Sequence, residues 1–166
     1  MPQAQVAVVM GSDSDMEVAK AAAEVLKSLQ VPYQTRILSA HRTPDALIRF
    51  AKSAREEGFK VIICFAGGAA HLAGVVAANT TLPVIGVPVG SSPFLGLDSL
   101  LSTVQMPFGV PVATMAIGPS GAKNAALFAA QILALTDKLL AKRIEKFRAN
   151  IRESVLAKDR KLSRRK

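Results

Sequence analysis

Residues 61–72 read VIICFAGGAAHL, and this stretch decides the fold. Its first five residues are apolar throughout, which is typical of a strand buried on both faces of a parallel sheet. The small residues at 66–70 predict a turn that leads into a helix beginning near His71 and reaching about Ala78. A strand, a turn and a helix in this order form one unit of an α/β fold.

The same order recurs along the chain. Apolar runs bounded by Gly, Pro or polar residues predict five strands, at residues 6–10, 31–38, 61–65, 84–89 and 112–117. Apolar stripes at helical spacing follow these strands, and two of them predict helices over 44–57 and 122–135. We find no internal repeat and no linker, so the sequence predicts one doubly wound α/β domain over residues 1–136, built on a parallel sheet.

Two helix starts can be placed from local chemistry. Ser14 and Glu17 have the spacing of a capping box, in which both side chains bond backbone N–H groups at the helix start. Thr43 stands where an N-cap belongs, and Pro44 takes the first helical position, where its missing N–H costs nothing. We therefore expect helices to begin just after residues 14 and 43.

Three loops between a strand and a helix contain the residues best suited to chemistry, at 11–15, 39–42 and 66–71. Because parallel strands end at the same edge of a sheet, these loops should line one crevice. Helix N-termini favour phosphate there, and the hydroxyls of Ser12 and Ser39 add donors. No GxGxxG follows the first strand and no P-loop motif occurs, so a single phosphate fits better than a dinucleotide or a triphosphate.

His41 and Arg42 place an imidazole beside a guanidinium. Histidine exchanges a proton near neutral pH and arginine can bind phosphate with two hydrogen bonds, so the pair suggests an acid–base beside an anion anchor. A structural role for His41 fits the pattern equally well. Asp15 suits ribose hydroxyls, although plain helix capping also explains it and Ser12. His71 opens an apolar helix, a position that favours core packing or a subunit contact over a site role.

The net charge of +9 is concentrated at the C-terminal end. Residues 1–136 contain 9 Lys and Arg against 8 Asp and Glu, whereas residues 137–166 contain 12 against 4. An apolar stripe at helical spacing runs through this second segment at Leu140, Ile144, Phe147, Ile151 and Val155. We expect a basic amphipathic helix that ends in a frayed run over 158–166 and docks on the parent domain or a neighbouring subunit. RNA or a membrane surface is the alternative partner.

Composition limits the other classes of function. Hydrophobic residues make up 50% of the 166 residues and aromatic residues only 5%, which suits a globular domain with an aliphatic core. No apolar run reaches the roughly 18–20 residues of a membrane span and no secretory signal is evident, so a cytoplasmic protein is expected. Cys64 should be a buried thiol, and one cysteine with two histidines cannot form the usual zinc site.

Four ordered segments resemble those of a known family. They lie at residues 11–15, 39–44, 66–72 and 98–107, and they read GSDSD, SAHRTP, AGGAAHL and DSLLSTVQMP. Over about residues 6–135 the chain is similar to the N5-carboxyaminoimidazole ribonucleotide mutases of purine biosynthesis. The Gly-Gly-Ala-Ala-His form of the third segment resembles the bacterial mutases more than the animal-type carboxylases. Ala73 departs from the family, which often has proline there.

The resemblance implies a three-layer flavodoxin-like domain. The charge and the apolar stripe described above add an extra basic amphipathic C-terminal helix and tail over 137–166. The resemblance also implies a homo-octamer with active sites at subunit contacts, and no metal or organic cofactor. His41 would be the acid–base, and Ser12, Asp15 and Arg42 would hold the ribose phosphate end of the substrate. The other implied substrate contacts are Gly11, Ser39, Ala40, Ala66, Gly67, Gly68, Ala69, His71 and Leu72.

The implied reaction moves a carboxylate from the exocyclic N5 to C4 of an aminoimidazole ribonucleotide. The carbamate would release CO2 in a closed pocket, C4 would recapture it, and His41 would remove the C4 proton. Two alternatives stay open: direct carboxylation of aminoimidazole ribonucleotide by dissolved CO2, and a non-enzymatic nucleotide-binding module with an RNA-binding tail. If the chain is a mutase, we expect it to bind neither nucleic acid nor a membrane.

Overall fold

The computed structural model describes residues 3–163. One five-stranded sheet consists of β1 (Val6–Met10), β2 (Tyr33–Ile37), β3 (Val61–Gly67), β4 (Val84–Val89) and β5 (Ala113–Thr114). All neighbouring strands are parallel, in the order β2-β1-β3-β4-β5. This is the strand order of flavodoxin-like folds, so the predicted doubly wound α/β class is confirmed.

Helices pack on both faces of the sheet within the described range. They are α1 (Met16–Ser28), α2 (Pro44–Ser53), α3 (Leu72–Ala77), α4 (Leu97–Val104), α5 (Pro119–Ala134) and α6 (Lys138–Ser163). One core lies between the sheet and helices α1, α5 and α6, and a second lies between the sheet and helices α2 and α3. Successive residues of β1 alternate between these cores, which explains why the strand is apolar throughout.

The start of α1 differs from the predicted capping box. A short 3-10 helix over Asp13–Asp15 precedes α1, and the capping box is formed by Ser12 and Asp15. The backbone N–H of Ser12 donates to Asp15 Oδ2 at 3.1 Å. The prediction of Ser14 and Glu17 is wrong, because the extra turn moves the capped end towards the strand.

The start of α2 lies at Pro44 as predicted, but Thr43 does not cap it with its side chain. The Thr43 hydroxyl accepts from the backbone N–H of Ser39 at 2.9 Å and lies 3.2 Å from the Ser39 carbonyl. It therefore closes the loop before the helix. The helix ends at Ser53, short of the predicted 57, because the chain turns over residues 54–58 to a left-handed Gly58 with φ of +91°.

Strand β5 is shorter than the predicted 112–117. Only Ala113 and Thr114 pair with β4, although the carbonyl of Pro88 still accepts from the backbone N–H of Gly118 at 2.9 Å. Proline has no N–H, so Pro88 cannot donate the ladder hydrogen bond that would continue the pairing.

The C-terminal helix α6 extends through Ser163, so the predicted fraying is wrong over 158–163, while residues 164–166 lie outside the described range. Leu140 and Ile144 are buried in the core beside α5, which confirms docking on the parent domain over these first turns. Ile151 and Val155 on the same stripe are exposed. No helix within residues 3–163 is both long and apolar enough to span a membrane.

Candidate active site

A cavity of about 310 Å³ opens at the carboxyl ends of β1, β2, β3 and β4. The three loops singled out in the sequence meet there. The residues that line the cavity are Gly11, Ser12, Ser14, Asp15, Ser39, Ala40, His41, Arg42, Ala66, Gly67, Ala69, His71, Leu72 and Ser91. The parallel topology explains this convergence, because each loop leaves its strand at the same edge of the sheet.

Gly68 is the one expected site residue that does not line the cavity. Its φ is +59°, in the left-handed region that glycine adopts at little cost. Gly68 therefore turns the loop, and a substrate contact at this residue stays a prediction. The turn leaves Gly67 and Ala69 on the cavity wall.

The loop from Ser39 to Thr43 is held by its own hydroxyl groups. Ser39 Oγ accepts from the backbone N–H groups of His41 at 3.3 Å and Arg42 at 3.2 Å. Such bonds from a serine to nearby N–H groups stabilise a tight turn without secondary structure. They fix the direction in which His41 and Arg42 leave the backbone.

The Arg42 side chain connects two of the three loops. Its Nη2 donates to the Gly11 carbonyl at 2.9 Å, and its Nε donates to Ser39 Oγ at 3.4 Å. A guanidinium has five N–H donors, so these two contacts leave others for an anion in the cavity. Arg42 is thus a positioned cation at the end of the cavity formed by β1 and β2.

Asp15 is only 4% exposed, on the floor of the same region. Burial raises the pKa of its carboxyl above the ordinary 3.8, and the nearby Asp13 acts in the same direction. Two effects lower the pKa and oppose this rise: backbone hydrogen bonds from Ser12 and Gly11, and the positive charge of Arg42. A buried carboxylate that already accepts N–H bonds suits hydroxyl groups of a ligand better than a phosphate.

His41 and His71 come from different loops and form a pair. His41 Nε2 lies 2.7 Å from His71 Nδ1, and the two rings are edge to face with centroids 4.9 Å apart. One nitrogen must donate and the other accept, so the pair requires at least one unprotonated nitrogen. His71 is exposed at the cavity, and the interpretation of core packing is wrong.

Sequence reasoning gave no site role to Ser91 and treated Ser14 only as a cap, yet both line the cavity. Ser91 follows Gly90, the first residue after the predicted fourth strand, β4. The rule that placed the other three loops at one edge applies to this strand too and would have found it. Ser14 lies in the 3-10 turn, which the sequence pattern did not reveal.

A doubly wound parallel sheet with a cavity of small and polar side chains at its strand ends defines the flavodoxin-like class of α/β proteins. Residues 5–154 match the family model described as AIR carboxylase. The chain belongs to this family.

Relatives and solved structures agree with that membership. A Bacillus subtilis protein named N5-carboxyaminoimidazole ribonucleotide mutase is 56% identical over 154 residues, which is 93% of this chain and 95% of that protein. An Escherichia coli K12 protein of the same name is 56% identical over 153 residues, 92% of this chain and 90% of its own length. The crystal structure of Treponema denticola PurE has a TM-score of 0.85 at 32% identity, covering 95% and 98% of the two chains. The resemblance found in the sequence is confirmed.

Proposed function

We propose that this chain isomerises N5-carboxyaminoimidazole ribonucleotide to 4-carboxy-5-aminoimidazole ribonucleotide in purine biosynthesis. Relatives more than 50% identical over nine-tenths of the chain carry the mutase name. The observation that carries the proposal is that the cation of Arg42 and the His41–His71 pair line one cavity. A phosphate anchor and a proton carrier in one cavity are what a reaction on a ribonucleotide base requires.

The substrate phosphate binds at the end of the cavity where Arg42 lies. The free donors of Arg42 supply hydrogen bonds to it, and Asp15 accepts from the ribose hydroxyls. The Ser12 hydroxyl, which donates to Asp13 Oδ1 at 2.9 Å, adds a further hydrogen bond by turning from Asp13 to the phosphate. This arrangement separates the phosphate, which accepts hydrogen bonds, from the buried carboxylate, which also accepts them. The base then lies towards His41 and the loop at 66–72.

The carboxylate transfer proceeds through CO2. The bond between N5 and the carboxylate carbon breaks, its electron pair stays on the nitrogen, and N5 gains a proton. C4 then attacks CO2 and loses its own proton, which restores the aromatic ring. One proton is gained and one is lost, so a single imidazole at His41 can serve both steps. The small side chains of Ala66, Gly67 and Ala69 leave room for CO2 close to C4.

Turnover with two substrates tests the reaction. The purified protein should convert the N5-carboxylated nucleotide without added bicarbonate, and it should leave 5-aminoimidazole ribonucleotide unchanged at moderate bicarbonate. Turnover of the uncarboxylated nucleotide that rises with bicarbonate would instead identify a direct carboxylase. If neither nucleotide turns over and the tail binds RNA, the binding-module alternative holds.

We also propose that the enzyme works in the cytoplasm as a homo-octamer whose active sites lie at subunit contacts. Support comes from an exposed apolar patch around α4, formed by Phe94, Leu95, Leu97, Leu101, Val104 and Phe108. Monomeric proteins rarely expose so many large apolar side chains together. The particle mass from light scattering should correspond to eight subunits for the parent. The double variant Phe94→Ser, Phe108→Ser should have fewer subunits per particle. A monomeric parent would contradict the proposal.

A further inference from the structure

The cavity contains a hydroxyl group that the proposed function does not use. Ser91 lines the cavity just after β4. Its backbone N–H donates to the Val89 carbonyl at 3.1 Å. Among residues 3–163 its side-chain hydroxyl takes part in no hydrogen bond, unlike the hydroxyl of neighbouring Ser92, which accepts from Phe94 N at 3.2 Å. Ser91 is therefore a donor that is free to bind a ligand in the cavity.

The strand order places Ser91 at the opposite end of the cavity from the phosphate anchor. Arg42 follows β2 and reaches back over β1 to the Gly11 carbonyl, whereas Ser91 follows β4, beyond β3. Adjacent strands are about 4.8 Å apart, so two to three strand spacings, roughly 10–14 Å, separate the two ends. A nucleotide with its phosphate at Arg42 directs its base towards Ser91.

The carboxyl end of β3 has space for the Ser91 hydroxyl because residue 67 is a glycine. A Cβ added to Gly67 would overlap Ser91 Oγ and would lie only 3.1 Å from the Val89 carbonyl. Gly67 thus leaves the space that the Ser91 side chain fills, next to the segment that leads to His71. Ser91 is an exposed residue, and its hydroxyl lies on the wall of the base end beside Gly67.

We propose that Ser91 is a substrate-binding residue whose hydroxyl donates a hydrogen bond to the carboxylate carried by the aminoimidazole. The proposal rests on the proposed function, which supplies the carboxylated base. A hydroxyl orients a carboxylate through a hydrogen bond to a charged acceptor. A cation in the same place would stabilise the carboxylate more strongly and would oppose its conversion to neutral CO2.

The test compares two nucleotides that differ only in the carboxylate. Binding of 4-carboxy-5-aminoimidazole ribonucleotide and of 5-aminoimidazole ribonucleotide is measured by calorimetry on the parent and on Ser91→Ala. We expect the Kd of the carboxylated nucleotide to rise at least about tenfold, the loss typical of a hydrogen bond to a charged group. The Kd of the uncarboxylated nucleotide should change by less than about twofold.

Ser92→Ala is the matched control, because it removes a hydroxyl from the same loop that does not line the cavity. It should bind both nucleotides like the parent. Three results would overturn the proposal. The two variants could lose the same affinity for the carboxylated nucleotide, Ser91→Ala could lose the same affinity for both nucleotides, or Ser91→Ala could lose no affinity. If the parent shows no turnover but Ser91→Ala weakens binding of the carboxylated nucleotide alone, the proposed function is contradicted and the Ser91 contact is supported.

Discussion

His41 Nε2 and His71 Nδ1 lie 2.7 Å apart, although the two residues are separated by 30 positions in sequence and belong to loops after different strands. The contact joins the two histidines of the chain at the wall of one cavity. Because one nitrogen must donate and the other must accept, the contact couples the tautomers of the two rings and holds the His41 ring in place. In the proposed function, His41 is the proton carrier and His71 is its positioning partner.

Replacing His41 by Asn should remove the proton carrier and leave the nucleotide bound. The amide keeps hydrogen-bonding atoms but cannot exchange a proton near neutral pH, so kcat should fall by at least the ~10²-fold typical of an acid–base residue. Steady-state kinetics and calorimetric binding of the product nucleotide check this. A kcat within threefold of the parent would exclude His41 as the acid–base.

Arg42→Ala should weaken nucleotide binding, because it removes the positioned cation that we assign to the phosphate. The expected loss is about 1.5–3 kcal/mol, the range for hydrogen bonds to charged groups. Arg49→Ala is the control, since this exposed arginine on α2 carries the same charge but lies outside the cavity. Similar affinities for the two variants would mean that the phosphate binds elsewhere.

Asp15→Asn should change the pH dependence of stability. Burial raises the pKa of Asp15 in the folded protein above 3.8, so folding favours its neutral form. The cost of burying the charged form is absent below pH 3.8, grows as pH rises from 3.8 to the raised pKa, and is constant above it. The free energy of unfolding of the variant relative to the parent should therefore increase between pH 4 and pH 7. Urea denaturation across this pH range measures the difference in unfolding free energy between the variant and the parent. A difference that stays constant or falls would rule out a raised pKa.

Two substitutions on one stripe of α6 should differ in their effect on stability. Leu140 is 1% exposed, so Leu140→Ala should cost about 2–5 kcal/mol of unfolding free energy. Val155 is 59% exposed, and Val155→Ala should stay within about 0.5 kcal/mol of the parent. Chemical denaturation measures both. A large loss at Val155 would show that this half of the helix is buried against another subunit.

The sheet was predictable because its signal is local. Strands that are apolar throughout and alternate with amphipathic helices leave few arrangements other than a doubly wound parallel sheet. The errors occurred where a tertiary contact decides the local structure. Thr43 bonds Ser39 instead of capping α2, and Pro88 on one strand shortens the pairing of its neighbour β5.

The composition of the cavity was largely predictable, whereas its contacts were not. Topology alone brings the loops after β1, β2 and β3 to one edge. The His41–His71 contact depends on side-chain directions that no spacing in the sequence specifies, and the same holds for the reach of Arg42 to Gly11. Ser91 was missed because its loop lacks charged residues, although its strand end lies at the same edge.

The most direct test of the account follows the transferred carbon. The N5-carboxylated nucleotide, labelled with carbon-13 in its carboxylate, is mixed with the protein in unlabelled bicarbonate and the product is analysed by NMR. The carboxylate on C4 should retain the label, because CO2 passes from N5 to C4 within the cavity in the proposed reaction. A product whose carboxylate comes from the unlabelled bicarbonate would contradict it.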